Sequence, residues 1–182
     1  MKRTEVVSTI TPSDRIPRGR YVLRVSGTKF GPSSSSGNPM ITLEFEILST
    51  GDGKDVVEVG DRKINIAGHR IRQYYVTASV ADPSTNGEKM GRVFDLFAAC
   101  GFPKEEIDEN NPPHQELLNA TVDAILYSKK DTKFSDPTPE DLAAGRKQGA
   151  PIKDSSGQPL EFFRVEIDKL LGPCQYEGNR QF

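Results

Sequence analysis

Apolar and polar residues alternate most regularly at residues 40–48, where Ile41, Leu43, Phe45 and Ile47 fall on one side and Thr42, Glu44 and Glu46 on the other. Side chains of a strand return to the same face every second residue, so this stretch predicts a half-buried strand. A shorter run at 20–25 repeats the pattern, with Tyr21, Leu23 and Val25 opposite Val22 and Arg24. A third run extends from Lys63 to about Thr77, and Gly68 within it predicts a bulge or sharp bend. Past the bend, Arg70, Arg72 and Tyr74 share one face, with Ile71 and Tyr75 on the other. Two further strands are expected at about 120–128 and 161–170, the second with Phe163, Val165 and Ile167 opposite Phe162, Arg164 and Glu166.

Between the third and fourth strands the spacing becomes helical, with Met90, Val93, Phe94, Phe97 and Ala98 recurring along one side. Thr85 and Glu88 have the spacing of a capping box. Gly101 is placed to end the helix in the left-handed conformation, and Pro103 prevents its resumption. The expected order is therefore β-β-β-α-β-β. Residues 1–18 read as an N-terminal arm, 19–171 as the domain and 172–182 as a tail. The Ser/Gly/Pro run at 31–39 reads as a mobile loop, and 49–62 as a hairpin or long turn around Val56, Val57 and Val59. The polar stretch 129–159 is expected to be a long mobile loop. It carries one short helix, with Thr138 as its cap and Pro139 at its first position.

Composition narrows this picture. With 182 residues, 35% of them hydrophobic, 16 glycines and 13 prolines, the chain supports one domain of modest core and much loop. There is no Trp, so an aromatic platform must come from Phe and Tyr. A net charge of −2 excludes a uniformly basic surface and leaves room only for a local basic patch. Cys100 and Cys174 form no CxxC pair and read as reduced thiols of a cytoplasmic protein. Residues 1–10 have the pattern of neither a signal peptide nor a membrane span. The two histidines, His69 and His114, lack second ligands at metal spacing, so no metal or other cofactor is expected. No nucleophile elbow, P-loop or dinucleotide fingerprint occurs, which argues against an enzyme.

The element order is that of the OB fold, a five-stranded Greek-key barrel with a helix between its third and fourth strands. The chain resembles the OB-fold single-stranded-DNA-binding proteins of tailed bacteriophages. The resemblance is carried by Gly19-Arg-Tyr-Val-Leu-Arg-Val25, by Ser36-Gly-Asn-Pro-Met-Ile-Thr-Leu-Glu-Phe-Glu-Ile47, by Gly91-Arg-Val-Phe-Asp-Leu-Phe-Ala-Ala-Cys-Gly101 and by Phe162-Phe-Arg-Val165. It implies a mostly-β fold built on that barrel, which coats single-stranded DNA, or RNA, in the host cytoplasm during replication or recombination. It also implies replication or recombination proteins as partners, and no membrane. Two features depart from it. The C-terminal residues from Tyr176 to Phe182 are not acidic, and Glu44 and Glu46 on the second strand would repel phosphate.

Binding single strands without sequence preference needs cations along the phosphates and rings on which bases stack. The sequence interleaves both at Lys29 and Phe30, at Arg70, Arg72 and Tyr74, at Tyr127, Lys129, Lys130, Lys133 and Phe134, and at Phe162 and Arg164. In an OB fold the loops after the first and fourth strands flank the binding face, which would bring these groups together. Each ring reads equally as an ordinary strand residue, and the lysines of 129–133 equally as a solvated loop. The alternative function is an OB-like protein–protein module of a viral replication or virion assembly that binds no nucleic acid.

Overall fold

The computed structural model describes residues 7–174. It is mostly β, with strands in two sheets. The larger sheet has five strands in the order β6-β3-β2-β7-β8, and every neighbouring pair is antiparallel. These are β2 (Gly19–Pro32), β3 (Pro39–Thr50), β6 (Arg70–Val76), β7 (Thr121–Thr132) and β8 (Glu161–Pro173). They correspond in order to the five expected strands. The smaller sheet joins β1 (Ser8–Thr9), β5 (Arg62–Asn65) and β4 (Val56–Val59).

The alternation read from sequence sets which face is buried. On β3, Ile41, Leu43, Phe45 and Ile47 are fully buried, facing Tyr21, Leu23 and Val25 of β2 and Val122, Ala124 and Leu126 of β7. Helix α1 (Asn86–Ala99) closes one end of this core with Met90, Val93, Leu96 and Phe97. Leu96 takes the place expected for Ala98, which is exposed. The helix ends as predicted. Gly101 has φ +79, its N–H donates to Ala98 O, and Phe102 N–H donates to Phe97 O. The Phe97 and Phe102 rings meet edge-on at 5.3 Å, the apolar contact that accompanies this cap.

Several expectations need correction. The capping box at Thr85 does not form. A 3₁₀ turn at Pro83–Thr85 precedes the helix, so Thr85 is already helical and its hydroxyl donates to Asp82 O instead of accepting from the first turn. The expected third strand is two strands in different sheets. Gly68, at φ +84, turns the chain between them, and its N–H donates to Ile47 O. The run at 31–39 is not a loose loop. β2 and β3 pair as far as Pro32 and Pro39, and Ser33 N–H donates to Asn38 O to close a short hairpin turn. Ser and Gly are abundant there because the turn needs them, and the long strands on either side hold it.

The stretch 129–159 is also more structured than its composition suggests. β7 continues to Thr132, and beyond it the chain forms an arm stitched by backbone pairing of Phe134 with Pro151 and of Lys153 with Pro159. Its short helix α2 (Pro139–Ala143) has the expected cap. Thr138 Oγ1 accepts from Asp141 N–H, and the Asp141 carboxylate accepts from Thr138 N–H.

Residues 7–18 form a strap rather than a free arm. β1 runs parallel to β5, and Ile16 is buried in the core. Ile16 N–H donates to Ser128 Oγ, and the buried Asp14 binds Arg62 at 2.6 Å. The expected tail begins later than predicted, because β8 runs through Pro173. The C-terminal motif from Tyr176 to Phe182 lies outside the described residues.

Candidate nucleic-acid interface

Four successive antiparallel pairings leave β6 and β8 pointing the same way at the two margins of the sheet. Among the described residues no ladder joins them, so the sheet is not a hydrogen-bonded closed barrel. The margins instead face each other across a cleft of about 810 Å³, floored partly by Ile10, Thr11 and Pro12 of the strap. Arg70, Arg72 and Tyr74 line one wall, and Phe162, Arg164 and Glu166 line the other.

Alternation on β6 produces the first wall. Ile71 is 4% exposed and Tyr74 57% exposed. Tyr75 packs against the core, where burial pushes its hydroxyl up to about 12. The Tyr74 ring is thus held on a strand anchored from below, with a face open to solvent. Thr42 of β3 lies opposite Tyr74, and Lys29 of β2 lies opposite Thr42. Lys29 therefore shares the outward row of Tyr74, two strand spacings or about 10 Å away.

The cations of this face are mostly held by carboxylates. Glu44 sits opposite Arg72 in register, 3.2 Å from Arg70 and 3.8 Å from Arg72. Glu46 binds Arg24 at 2.6 Å. Across the cleft, Arg164 binds Glu166 at 2.7 Å and Asp131 at 3.3 Å. Lys129 approaches Glu166 at 3.9 Å. Glu44 and Glu46 thus lie among the arginines, on the strand face that carries Tyr74. Exposed pairs of this kind are worth only about 0.2–1 kcal/mol each, so an incoming phosphate can displace them.

The remaining candidate residues do not line the cleft itself. Lys29 and Phe30 stand on β2, not in a loop. Phe30 packs on the core, its ring 6.1 Å from that of His114, while Thr28 Oγ1 meets His114 Nδ1 at 2.8 Å. Lys129 and Lys130 are on β7, not in a loop, and alternation sends them to opposite faces. Lys130 binds Glu161 at 2.5 Å. Lys133 and Phe134 begin the arm, away from the cleft wall. The Tyr127 hydroxyl donates to Glu166, which raises its pKa, and the Arg18 guanidinium lies 5.7 Å from its ring centre.

Arg15 and Arg18 were not expected at this surface. Arg15 lies 5.9 Å from the Phe163 ring, and Arg18 binds Asp168 at 2.5 Å. The strap has no strand or helix period, so nothing local reveals where it docks. His69 also lines the cleft, and burial holds its pKa below the ordinary value. Burial likewise pushes the pKa of the Cys100 thiol up to about 12. Among the described residues no three of His, Cys, Asp and Glu gather as metal ligands, and no helix is long and apolar enough to cross a membrane. The chain matches no model of a known protein family and no curated protein.

Proposed function

We propose that this chain is an OB-type domain that binds single-stranded nucleic acid without sequence preference and coats single-stranded DNA during replication or recombination. Two features of the fold support the OB reading. The central order third-second-first-fourth-fifth keeps the first strand between the second and fourth, and the helix lies between the third and fourth. The third and fifth strands run parallel on either side of the cleft, as closing such a barrel requires.

The observation that carries the functional reading is Tyr74, an open ring flanked by Arg70 and Arg72 and facing Phe162 and Arg164 across the cleft. A base stacked on Tyr74 would bring its neighbouring phosphates to the arginines. Tyr74→Ala should weaken oligo-dT binding by about 1–3 kcal/mol and leave the melting temperature nearly unchanged. Fluorescence quenching at low salt and a thermal melt measure the two. If oligo-dT causes no quenching of the native protein at low salt, the reading fails.

One observation favours a second reading, that of a protein–protein module. Every arginine lining the cleft already has a carboxylate partner, as expected of a surface that meets another protein through mixed charges. A mobility shift with single-stranded DNA, duplex DNA and RNA separates the two, since a protein-only module shifts none of them.

A further inference from the structure

Beside the first cleft, beyond Tyr74, lies a second of about 540 Å³, between β6, β8 and α1. Gln73, Tyr74 and Ile167 line both, so the two adjoin along the seam between β6 and β8. The second cleft differs in its charge. Lys89 and Arg92, one turn apart on α1, face it together with Lys169 of β8. Among the described residues none of the three has a carboxylate within 4.0 Å. Two acids also line it. Asp168 is held by Arg18 at 2.5 Å, and Asp95 is left as the one carboxylate facing three cations.

Counterion release depends on cations that meet phosphate without a carboxylate remaining beside them. Arg70 and Arg72 bring Glu44 with them, and Arg164 brings Glu166 and Asp131. Lys89, Arg92 and Lys169 bring no such partner.

We propose that the backbone of the single strand continues past Tyr74 into this second cleft, where Lys89, Arg92 and Lys169 make the phosphate contacts that dominate its salt dependence. The proposal rests on the nucleic-acid reading of the same seam and deepens it. Tyr74 stacks a base at the junction, and the strand runs toward α1 instead of spreading over β3, where Glu44 and Glu46 lie. The three cations are partly or fully exposed, so removing them leaves the core in place.

The test is the salt dependence of oligo-dT binding. The triple variant Lys89→Ala/Arg92→Ala/Lys169→Ala should flatten the log–log slope by about 2, at roughly −0.7 per phosphate for three phosphates. The charge-keeping triple Lys89→Arg/Arg92→Lys/Lys169→Arg should retain the native slope. Should the alanine triple fail to fold, Arg92→Gln and Lys169→Gln alone should each remove about 0.7 of the slope. If native protein binds but the α1-end variants keep its slope, while Arg70→Ala/Arg72→Ala flattens it, the inference is overturned and the functional reading stands. If native protein binds oligo-dT at no salt concentration, both fall.

Discussion

The seam between β6 and β8 and the arm beyond Thr132 each carry a cation next to an exposed ring, yet they are supported differently. Under Tyr74 lie Ile71, Tyr75 and, one strand away, the fully buried Ile41, Leu43 and Phe45. Under Phe134, itself 39% exposed, there is no comparable core; its neighbours Lys133, Ser135 and Pro151 are all exposed. The arm keeps its path through backbone hydrogen bonds, the Thr138 cap and exposed polar contacts such as those of Asp141 with Arg146 and of Asp154 with Ser156. A ring held by a packed strand is oriented before a base arrives, whereas a ring on the arm must be ordered by the encounter, and that ordering subtracts from affinity. On the proposed reading, the same residue types make a platform in one place and an adaptable contact in the other.

The largest expected difference is in stability. Phe45→Ala should cost about 3–5 kcal/mol in urea unfolding, whereas Phe134→Ala should stay within about 0.5 kcal/mol. A destabilisation by Phe134→Ala comparable to that of Phe45→Ala would mean that the arm has a core of its own. Binding should follow the same ranking, with Phe134→Ala weakening oligo-dT binding by less than Tyr74→Ala, as measured by quenching titration. Equal losses would extend the platform into the arm.

A smaller effect concerns the cap of α2. Thr138→Ala should weaken that helix by about 0.5–2 kcal/mol. Hydrogen exchange should then quicken at amides of the arm and remain unchanged in β2 and β3. Faster exchange in the core strands would show that arm and sheet open as one unit.

The smallest effect is in pH dependence, where the two regions respond in different windows. The His69 pKa lies below its ordinary 6.5 because burial disfavours the charged ring. Below pH 6.5 the unfolded chain binds a proton that the folded one resists, so stability is full above that pH and falls as the pH drops through it. The Asp141 pKa lies below its ordinary 3.8, mainly because its carboxylate accepts from Thr138 N–H. Its contribution is present above 3.8 and is lost as the pH falls further. Thermal melts should soften below pH 6.5, and His69→Gln should remove part of that slope. Protection of arm amides, relative to their intrinsic exchange rates at each pH, should fall only near pH 4 and below.

Much of this comparison can be read from the chain itself. Period-two alternation assigns the faces of β3 and β6, including the outward Arg70, Arg72 and Tyr74, because one face of each strand must be buried. The helix C-terminus is equally legible, since Gly101 meets a conformational requirement few other residues satisfy. Three features escape sequence reading because each depends on distant chain. The strap is held by partners more than a hundred residues away, such as Ser128 and Phe163. The break between β5 and β6 is a change of sheet, and a lone Gly68 signals a bend without its destination. The second carboxylate at Arg164, that of Asp131, comes from β7 in a register that no local pattern fixes.

The strap has a consequence for how the protein reaches this fold. Phe163 N–H of β8 donates to Pro12 O, so the earliest described residues and the last described strand complete one another. β2 likewise pairs with β7 across roughly a hundred residues of intervening chain. Such a topology closes its longest loops late, and mostly-β chains of this kind reach the native state in milliseconds to seconds rather than microseconds. During synthesis the strap can pair with β5 early, but its contacts with Ser128 and Phe163 must wait until β7 and β8 have emerged. Until then the inner surface of β7 lies partly uncovered, and the nascent chain depends on its surroundings to keep those apolar residues from other partners.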